Sequence, residues 1–375
     1  MVSSEQFFKA LTNNGVGYFS GVPDSLLKHI CAFITDNVPS HKHVIAANEG
    51  AAVGLATGFH LATGGLPLVY MQNSGLGNVV NPVLSIADDD VYGIPMVLMI
   101  GWRGQPGLKD EPQHVKQGRV TEQMLDAMEI PYISLTGDNT DSEIVASIAN
   151  ICSQAKENNK PVAILIAKGM FSAYSKQSEE ADSDLTMTRE SAIEVILDHI
   201  GDAAVVSTTG MPSREVFEIR EANGLSHERD FLTVGAMGHT SQIALGVASS
   251  APGRQVVCID GDGSLIMHMG SMAITGASEC KNFVHIVLNN GAHDSVGGQP
   301  TVGFSLDVCG VAKASGYRNV AGVDCVDELA KKLKGLMSLD GPSLLEVKVL
   351  KGARADIGRP TTTPKENKVA FMGYI

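Results

Sequence analysis

Positive charge is scarce in this chain. Lys and Arg together number 28 against 41 Asp and Glu, a formal net charge of −13 over 375 residues. Such a field repels a phosphate backbone and disfavours a nucleic-acid role. A small anionic ligand would need a local cluster of Arg and Lys against it. Cysteine lacks pattern: Cys31, Cys152, Cys258, Cys280, Cys309 and Cys325 show no metal-ligand spacing. Cys258, inside an apolar stretch, reads as core filler. No uninterrupted apolar run reaches bilayer-spanning length. Met1 to Glu5 is not basic and no apolar run follows it, so no signal peptide is read there and a cytoplasmic enzyme is the expectation.

What the chain has is glycine, 40 residues, and 44% hydrophobics, enough for tight strand-to-helix turns and large cores. The length favours two or more domains. Apolar strands are predicted near 17–20, 44–46, 68–71, 96–100, 132–135 and 162–166, with helical patterns between them at 25–34, 51–61 and 142–154. In the second half strands are predicted near 204–207, 231–234, 256–259, 284–288 and 343–347, and helices at 191–200, 267–277 and 326–337. The polar, acidic stretch 175–184 reads as a linker. Strands alternating with helices predict an α/β chain of two doubly wound parallel-sheet domains, 1–176 and 177–375. There is no strong short repeat, only the likeness of the two halves. The Pro- and Thr-rich tail after Gly352 shows no core pattern until 369–372.

Two polar motifs sit at strand ends. Gly261-Asp262-Gly263 follows the strand near 256–259 and Asn289-Asn290 follows the next, with 25 residues (264–288) between them. A helical crossover makes those strands parallel and puts both carboxyl ends on one sheet edge. Ligands of open α/β sheets bind at that edge. The oxygens of an Asp and an Asn suit magnesium, which usually arrives with a phosphate-bearing partner. Asp-Gly and Asn-Gly also make plain turns; their matched strand ends favour a site. A dinucleotide reading is weak, because Gly261-Asp262-Gly263-Ser264-Leu265-Ile266 lacks the third glycine of that fingerprint. In the first half, Asn48-Glu49-Gly50-Ala51-Ala52 follows a strand, and Glu49 opens a helix. A first-turn carboxylate suits the helix dipole. Small apolar neighbours, however, leave it poorly solvated, which raises a carboxyl pKa and lets it share a proton with a ring nitrogen.

This pair of motifs resembles the thiamine diphosphate-dependent enzymes. The resemblance implies Mg²⁺ held by Asp262, Asn290 and the backbone carbonyl of Ala292. It implies that Glu49 protonates the cofactor's aminopyrimidine, which then removes the C2 proton of the thiazolium. Gly235-Ala236-Met237-Gly238 resembles the segment that props the cofactor into its bent form, with Met237 beneath the rings and the backbone of Gly235 and Met237 against the pyrimidine. Plain core is the alternative for Met237. Gly261, Gly263 and Ser264 fall at the diphosphate, with the Ser264 hydroxyl or amide at a helix start, and Ser295 offers a backbone donor. In that family the pyrimidine-binding domain of one subunit faces the diphosphate-binding domain of another. A homo-oligomer, at least a dimer, is implied, with Glu49 and Asp262 meeting across its interface.

A linker where longer relatives carry a middle domain is similar to the short decarboxylases. Over essentially the whole chain the sequence resembles the phosphonopyruvate decarboxylases. The resemblance is carried by Gly21-Val22-Pro23-Asp24-Ser25-Leu26-Leu27, Gln72-Asn73-Ser74-Gly75-Leu76-Gly77-Asn78, Gly101-Trp102-Arg103-Gly104, Asp110-Glu111-Pro112-Gln113-His114 and Arg359-Pro360-Thr361-Thr362-Thr363-Pro364. It implies decarboxylation of 3-phosphonopyruvate to phosphonoacetaldehyde and CO2, within the biosynthesis of 2-aminoethylphosphonate-type compounds. Alternatives are a sulfopyruvate decarboxylase, a carboligase of the acetolactate synthase type, and a cofactor-binding regulatory protein without turnover. Asp24 and His114 stand where related decarboxylases keep proton carriers. Asp24 also reads as N-cap of the following helix, and His114 also reads as a surface-loop histidine. Arg103 and Lys109, in the glycine-rich loop after 96–100, and Arg354 and Arg359 in the tail are candidates for binding the second anion. An Arg fork fits a phosphonate bidentately; solvated surface charge is the alternative. Trp102, the only tryptophan, lines that loop or merely packs.

Overall fold

A computed structural model describes residues 1–175 and 184–375, which form two compact units. The boundary expected at 176/177 and most of the stretch read as a linker lie outside the described residues. No described helix is long and apolar enough to cross a membrane.

The first unit is a parallel sheet of β1 (Val16–Gly21), β2 (His43–Ile45), β3 (Leu66–Gln72), β4 (Met96–Gly101), β5 (Tyr132–Leu135) and β6 (Pro161–Ile166), in the order β2-β1-β3-β4-β6-β5. β3 and β4 are apolar without alternation because both sheet faces are covered. Leu68, Tyr70, Val97 and Met99 enter one core, and Val69, Met71, Leu98 and Ile100 enter the other. The chain passes from β1 outward to β2 and returns to β3 on the opposite side of β1. The loops leaving these strands therefore diverge and open a crevice at the carboxyl edge.

Two of the alternative readings do not hold here. The helix after β1 spans Lys28–Asn37, with Leu27 at its N-cap position and no side-chain cap. Asp24 is not its N-cap; its Oδ2 accepts the Leu26 N–H at 2.9 Å inside a tight turn. His114 is not in a surface loop but in the first turn of helix Pro112–Ala127, and it is buried. That helix escapes pattern reading because it packs through small residues rather than an apolar stripe. A Cβ at Gly118 would run into the Gly104 carbonyl.

The second unit holds β7 (Ala204–Ser207), β8 (Asp230–Leu232), β9 (Val256–Gly261), β10 (Phe283–Asn289), a short antiparallel ribbon of β11 (Ala292–His293) and β12 (Gln299–Pro300), β13 (Asn319–Val323) and β14 (Ser343–Lys348). The main sheet is parallel, in the order β13-β14-β10-β9-β7-β8. Val257, Ile259, Val284 and Ile286 pack on one face, and Val256, Cys258, Phe283 and Val287 on the other, so Cys258 is core as expected. The helical pattern expected at 267–277 is broken into Asp262–Met267 and Ser271–Gly276. The crossover already turns helical at Asp262, and a Cβ at Gly276 would strike the Ser315 carbonyl where the second helix ends. β13 was not foreseen, since this half-buried edge strand contains Gly322 and no apolar run.

The tail also differs from expectation. It ends in helix Pro364–Tyr374, opened by a capping box between Thr363 and Glu366. Val369 and Met372 are exposed, whereas Phe371 and Asn367 are buried. Asn367 imitates a peptide group beside the sheet-edge strand β8. Its Oδ1 accepts the Leu232 N–H at 3.1 Å and its Nδ2 donates to the Asp230 carbonyl at 2.7 Å.

Candidate cofactor and active site

In the second unit, β9 and β10 run parallel with Gly261 opposite Leu288, so Asp262 and Asn289-Asn290 leave the sheet side by side. Asp262 is 2% exposed. It accepts from the Thr301 hydroxyl and from the backbone N–H groups of Gly263 and Asn290. Burial nevertheless pushes its carboxyl up to about 6, against those hydrogen bonds. A divalent cation at its oxygens would favour the ionised form. The Asn290 Oδ1 accepts the Ala292 N–H at 3.1 Å and its Nδ2 donates to Asp294 at 2.7 Å. Asn289 is spent internally, donating to the Gly303 carbonyl and to Glu346. The carbonyls of Gly291 and His293 accept N–H groups of Thr301 and Gly298; the Ala292 carbonyl lies between them.

Nearby, Gly235 (φ 68°), Ala236 (φ 48°) and Gly238 (φ 86°) take left-handed angles around Met237. A non-glycine residue there is strained, and such strain gathers at functional sites. The turn is tied down by the Gly235 N–H to Thr209 (3.0 Å) and the Gly238 N–H to the Ser264 Oγ (3.1 Å). A Cβ at Gly263 would lie 2.9 Å from His293 and 3.2 Å from the Met237 methyl. Met237, Gly263 and Ser264 are thus brought together, and His293 joins them. Ser295 is exposed and approaches Gly210. Among the described residues, the buried Ser207 Oγ, Thr233 Oγ1, Thr240 Oγ1, His268 Nδ1 and both amide atoms of Gln299 find no partner. Ser207 ends β7, Thr233 follows β8 and Gln299 lies in the ribbon. Unpaired buried polar groups are costly, and Ser207 and Thr233 stand at the strand ends of the sheet edge that carries Asp262 and Asn290. The donor set therefore fits thiamine diphosphate with a divalent cation. His293 and Gln299 escaped the sequence reading, although the paired glycines 297 and 298 mark the turn between them.

In the first unit, helix Glu49–Thr63 begins right after the Asn48 N-cap, whose side chain accepts the Ala51 N–H at 2.9 Å. Glu49 is buried, and its Oε2 accepts from the Asn78 Nδ2 at 2.7 Å. Gly75 makes the room: a Cβ there would be 2.5 Å from the Glu49 Oε1. Asp24, fully buried after β1, lies over Gly101 at the end of β4 and accepts from the Gln72 Nε2 at 2.6 Å. Burial raises its carboxyl pKa, against the Gln72 and Leu26 hydrogen bonds and the Arg103 charge. Burial, helped by Arg103, lowers that of His114. The Arg103 fork is engaged: Nε and Nη2 donate to Asp110 (2.8 and 2.5 Å) and Nη1 to the Ser25 hydroxyl (2.9 Å). Trp102 is buried and donates to the Gly118 carbonyl at 2.8 Å, so it packs. Lys109 and Arg359 are exposed. Arg354 is held by Glu190, Glu218 and Asp356 rather than solvated alone. Asp24, Arg103 and His114 are gathered at one sheet edge; Arg359 belongs to the other unit.

Residues 1–130 match the N-terminal TPP binding domain of thiamine pyrophosphate enzymes, and residues 206–347 match their C-terminal TPP binding domain. The chain belongs to the thiamine diphosphate-dependent enzymes. It is 36% identical, over its full length and 95% of the relative, to phosphonopyruvate decarboxylase of Streptomyces viridochromogenes. To that of Streptomyces hygroscopicus it is also 36% identical, over its full length and 94% of the relative. Sulfopyruvate decarboxylase of Methanosarcina acetivorans is 26% identical, over 98% of this chain and 96% of the relative. Within the family the chain is a 2-keto acid decarboxylase, a carboxy-lyase.

Proposed function

We propose that the enzyme decarboxylates 3-phosphonopyruvate to phosphonoacetaldehyde and CO2, with Mg²⁺ beside the cofactor diphosphate. The observation that carries this reading is the full-length identity of 36% to two phosphonopyruvate decarboxylases, against 26% to the sulfopyruvate enzyme. Asp262, Asn290 and the Ala292 carbonyl would hold the cation. Gly261, Gly263, Ser264 and Ser295 would receive the diphosphate, and Gly235 and Met237 would support the pyrimidine. When bound, thiamine diphosphate would supply the carbon nucleophile and the electron sink that a 2-keto acid needs to lose CO2.

The chain's own side chains move the protons. Glu49, steadied by Asn78, holds one at the pyrimidine ring nitrogen. Burial drives Asp24 and His114 toward their neutral forms in opposite pKa directions. Those are the directions in which a carboxyl keeps its proton and an imidazole stays a free base. The phosphonate falls to Arg103, Lys109 and Arg359. Three N–H groups of Arg103 are engaged among the described residues, of the roughly five that a guanidinium carries, which leaves donors there for an anion.

Product analysis with phosphonopyruvate, sulfopyruvate and pyruvate, each with thiamine diphosphate and Mg²⁺, tests the assignment. Phosphonopyruvate is expected to give by far the highest kcat/KM; a preference for sulfopyruvate overturns the reading. Lys109→Ala and Arg359→Ala should each cost about 1.5–3 kcal/mol, roughly ten- to a hundred-fold in kcat/KM for phosphonopyruvate. Pyruvate, which has no second anion, should lose far less. Arg103→Ala also unpairs Asp110, so only the ratio between the two substrates is informative for it. Equal losses on both substrates remove these residues from anion recognition.

Assembly has its own test. The enzyme works as a homo-oligomer in which Glu49 of one subunit serves the cofactor held by Asp262 of another. Mixing inactive Glu49→Gln with inactive Asp262→Ala protein should then restore activity after subunit exchange. No recovery, with exchange demonstrated by mass spectrometry, rejects the shared site.

A further inference from the structure

One oxygen of Asp294 collects donors from separate segments of the second unit. Its Oδ2 accepts the Asn290 Nδ2 at 2.7 Å, the Arg189 Nη1 at 2.7 Å and the Gly352 backbone N–H at 3.0 Å. Arg189 opens helix Arg189–His199. The rest of its fork lies on Glu215 of helix Met211–Ala222, at 2.8 and 3.0 Å. Its Nη2 also donates to the Gly352 carbonyl at 3.2 Å, so Gly352 gives to Asp294 and accepts from Arg189. The three charged side chains are 5%, 2% and 10% exposed for Arg189, Glu215 and Asp294. Charges this deep are tolerated only when their donors and acceptors are nearly all used. This cluster uses them in an arrangement that ends on Asn290.

The chemistry of an amide gives that ending a purpose. Only the oxygen of an asparagine binds a hard cation; its nitrogen is a donor. A carboxylate accepts and never donates, so Asp294 holds the nitrogen of Asn290 on its own side. The Oδ1 is thereby turned the other way, toward the Ala292 N–H, while the Asn290 backbone N–H reaches Asp262. Three donors on one oxygen also keep Asp294 from competing for the cation. Arg189, in turn, is held in place by its fork on Glu215.

We propose that Asp294, anchored by Arg189 and Glu215, is a positioning residue that sets the amide of Asn290 for the divalent cation. It acts on metal and cofactor binding without touching either. This rests on the assignment of Asn290 as a metal ligand. The test is the affinity for Mn²⁺, read as free Mn²⁺ by electron paramagnetic resonance with thiamine diphosphate present, alongside the melting temperature of the ligand-free protein. Asp294→Ala should weaken Mn²⁺ binding about 10–100-fold, the range for partners that orient a metal ligand. Asp294→Asn keeps a carbonyl oxygen for the Asn290 amide and should recover most of that loss although it lacks the charge. If the alanine variant does not fold, Asp294→Ser, too short to span the contact, carries the same expectation. Wild-type affinity in Asp294→Ala, or no recovery in Asp294→Asn, overturns the proposal, because a merely structural carboxylate would not distinguish the two. Asn290→Ala is run in parallel. Wild-type affinity there rejects the ligand assignment itself, whereas loss there with none in Asp294→Ala rejects only the positioning role.

Discussion

Glu49→Gln is expected to bind thiamine diphosphate as well as the unaltered enzyme does, yet to exchange the cofactor's C2 proton about 10²–10⁴-fold more slowly, the usual worth of a positioned proton donor. The substitution keeps the shape of a side chain that is only 5% exposed and changes one oxygen into an NH2 group. The Asn78 amide donates to Oε2 at 2.7 Å, and Oε1 is confined by Gly75. Glutamine can therefore fill the same space, but it has no carboxyl proton to share with the pyrimidine nitrogen. Deuterium exchange at C2, quenched and read by NMR, measures the step apart from turnover. A wild-type exchange rate would remove Glu49 from the mechanism. Gly75, which admits the carboxylate, provides the steric counterpart of this chemistry.

Asp262→Ala should abolish measurable binding of thiamine diphosphate by isothermal titration at millimolar Mg²⁺. Few cationic side chains serve the diphosphate in this reading, so the metal must bridge it to the protein. Removing one of three protein ligands, the only charged one, leaves an amide and a carbonyl that cannot hold the ion. The substitution should not unfold the unit. Asp262 is buried with its carboxyl pKa raised to about 6, so ionising it in the fold is a cost. The sign follows. A folded pKa above the unfolded value makes this carboxyl's contribution to stability largest at low pH. That contribution is lost as pH rises from the unfolded value through about 6. Near neutrality, relief of that cost opposes the loss of the hydrogen bonds that Asp262 accepts, so thermal melting of the ligand-free variant should show it folded, close to the wild type, before the titration is read. Unchanged cofactor affinity would end the assignment of Asp262.

Much of the fold was legible because parallel sheets need continuous apolar strands. The predicted strands 132–135 and 204–207 and the helix 326–337 match Tyr132–Leu135, Ala204–Ser207 and Val326–Met337 residue for residue. Helix Ser4–Asn13 was missed although its apolar face, Phe7, Ala10 and Leu11, is buried; three other misses share the property that apolar periodicity does not carry them. Helix Pro112–Ala127 packs by Gly118 and Thr121, β13 is a glycine-bearing edge strand, and the final helix docks through Asn367 and Phe371. The readings of Asp24 as a helix cap and His114 as a loop residue failed for a related reason, since local turn chemistry cannot tell which loop another strand end will cover.

The sequence by itself determined the alternation of strand and helix, the parallel edge carrying Asp262 and Asn290, and the carboxylate at a helix start, because these follow from spacing along the chain. Only the tertiary structure decided which polar atoms meet. It laid Asp24 over Gly101 and against Gln72, gave most of the Arg103 fork to Asp110, and closed Asp294 on Asn290, Arg189 and Gly352. Those partners lie far apart in the chain or turn on loop conformations that no periodicity encodes. Hydrogen bonds act over a few ångströms and depend on direction, so they are settled only when the packed sheets bring the loop ends together.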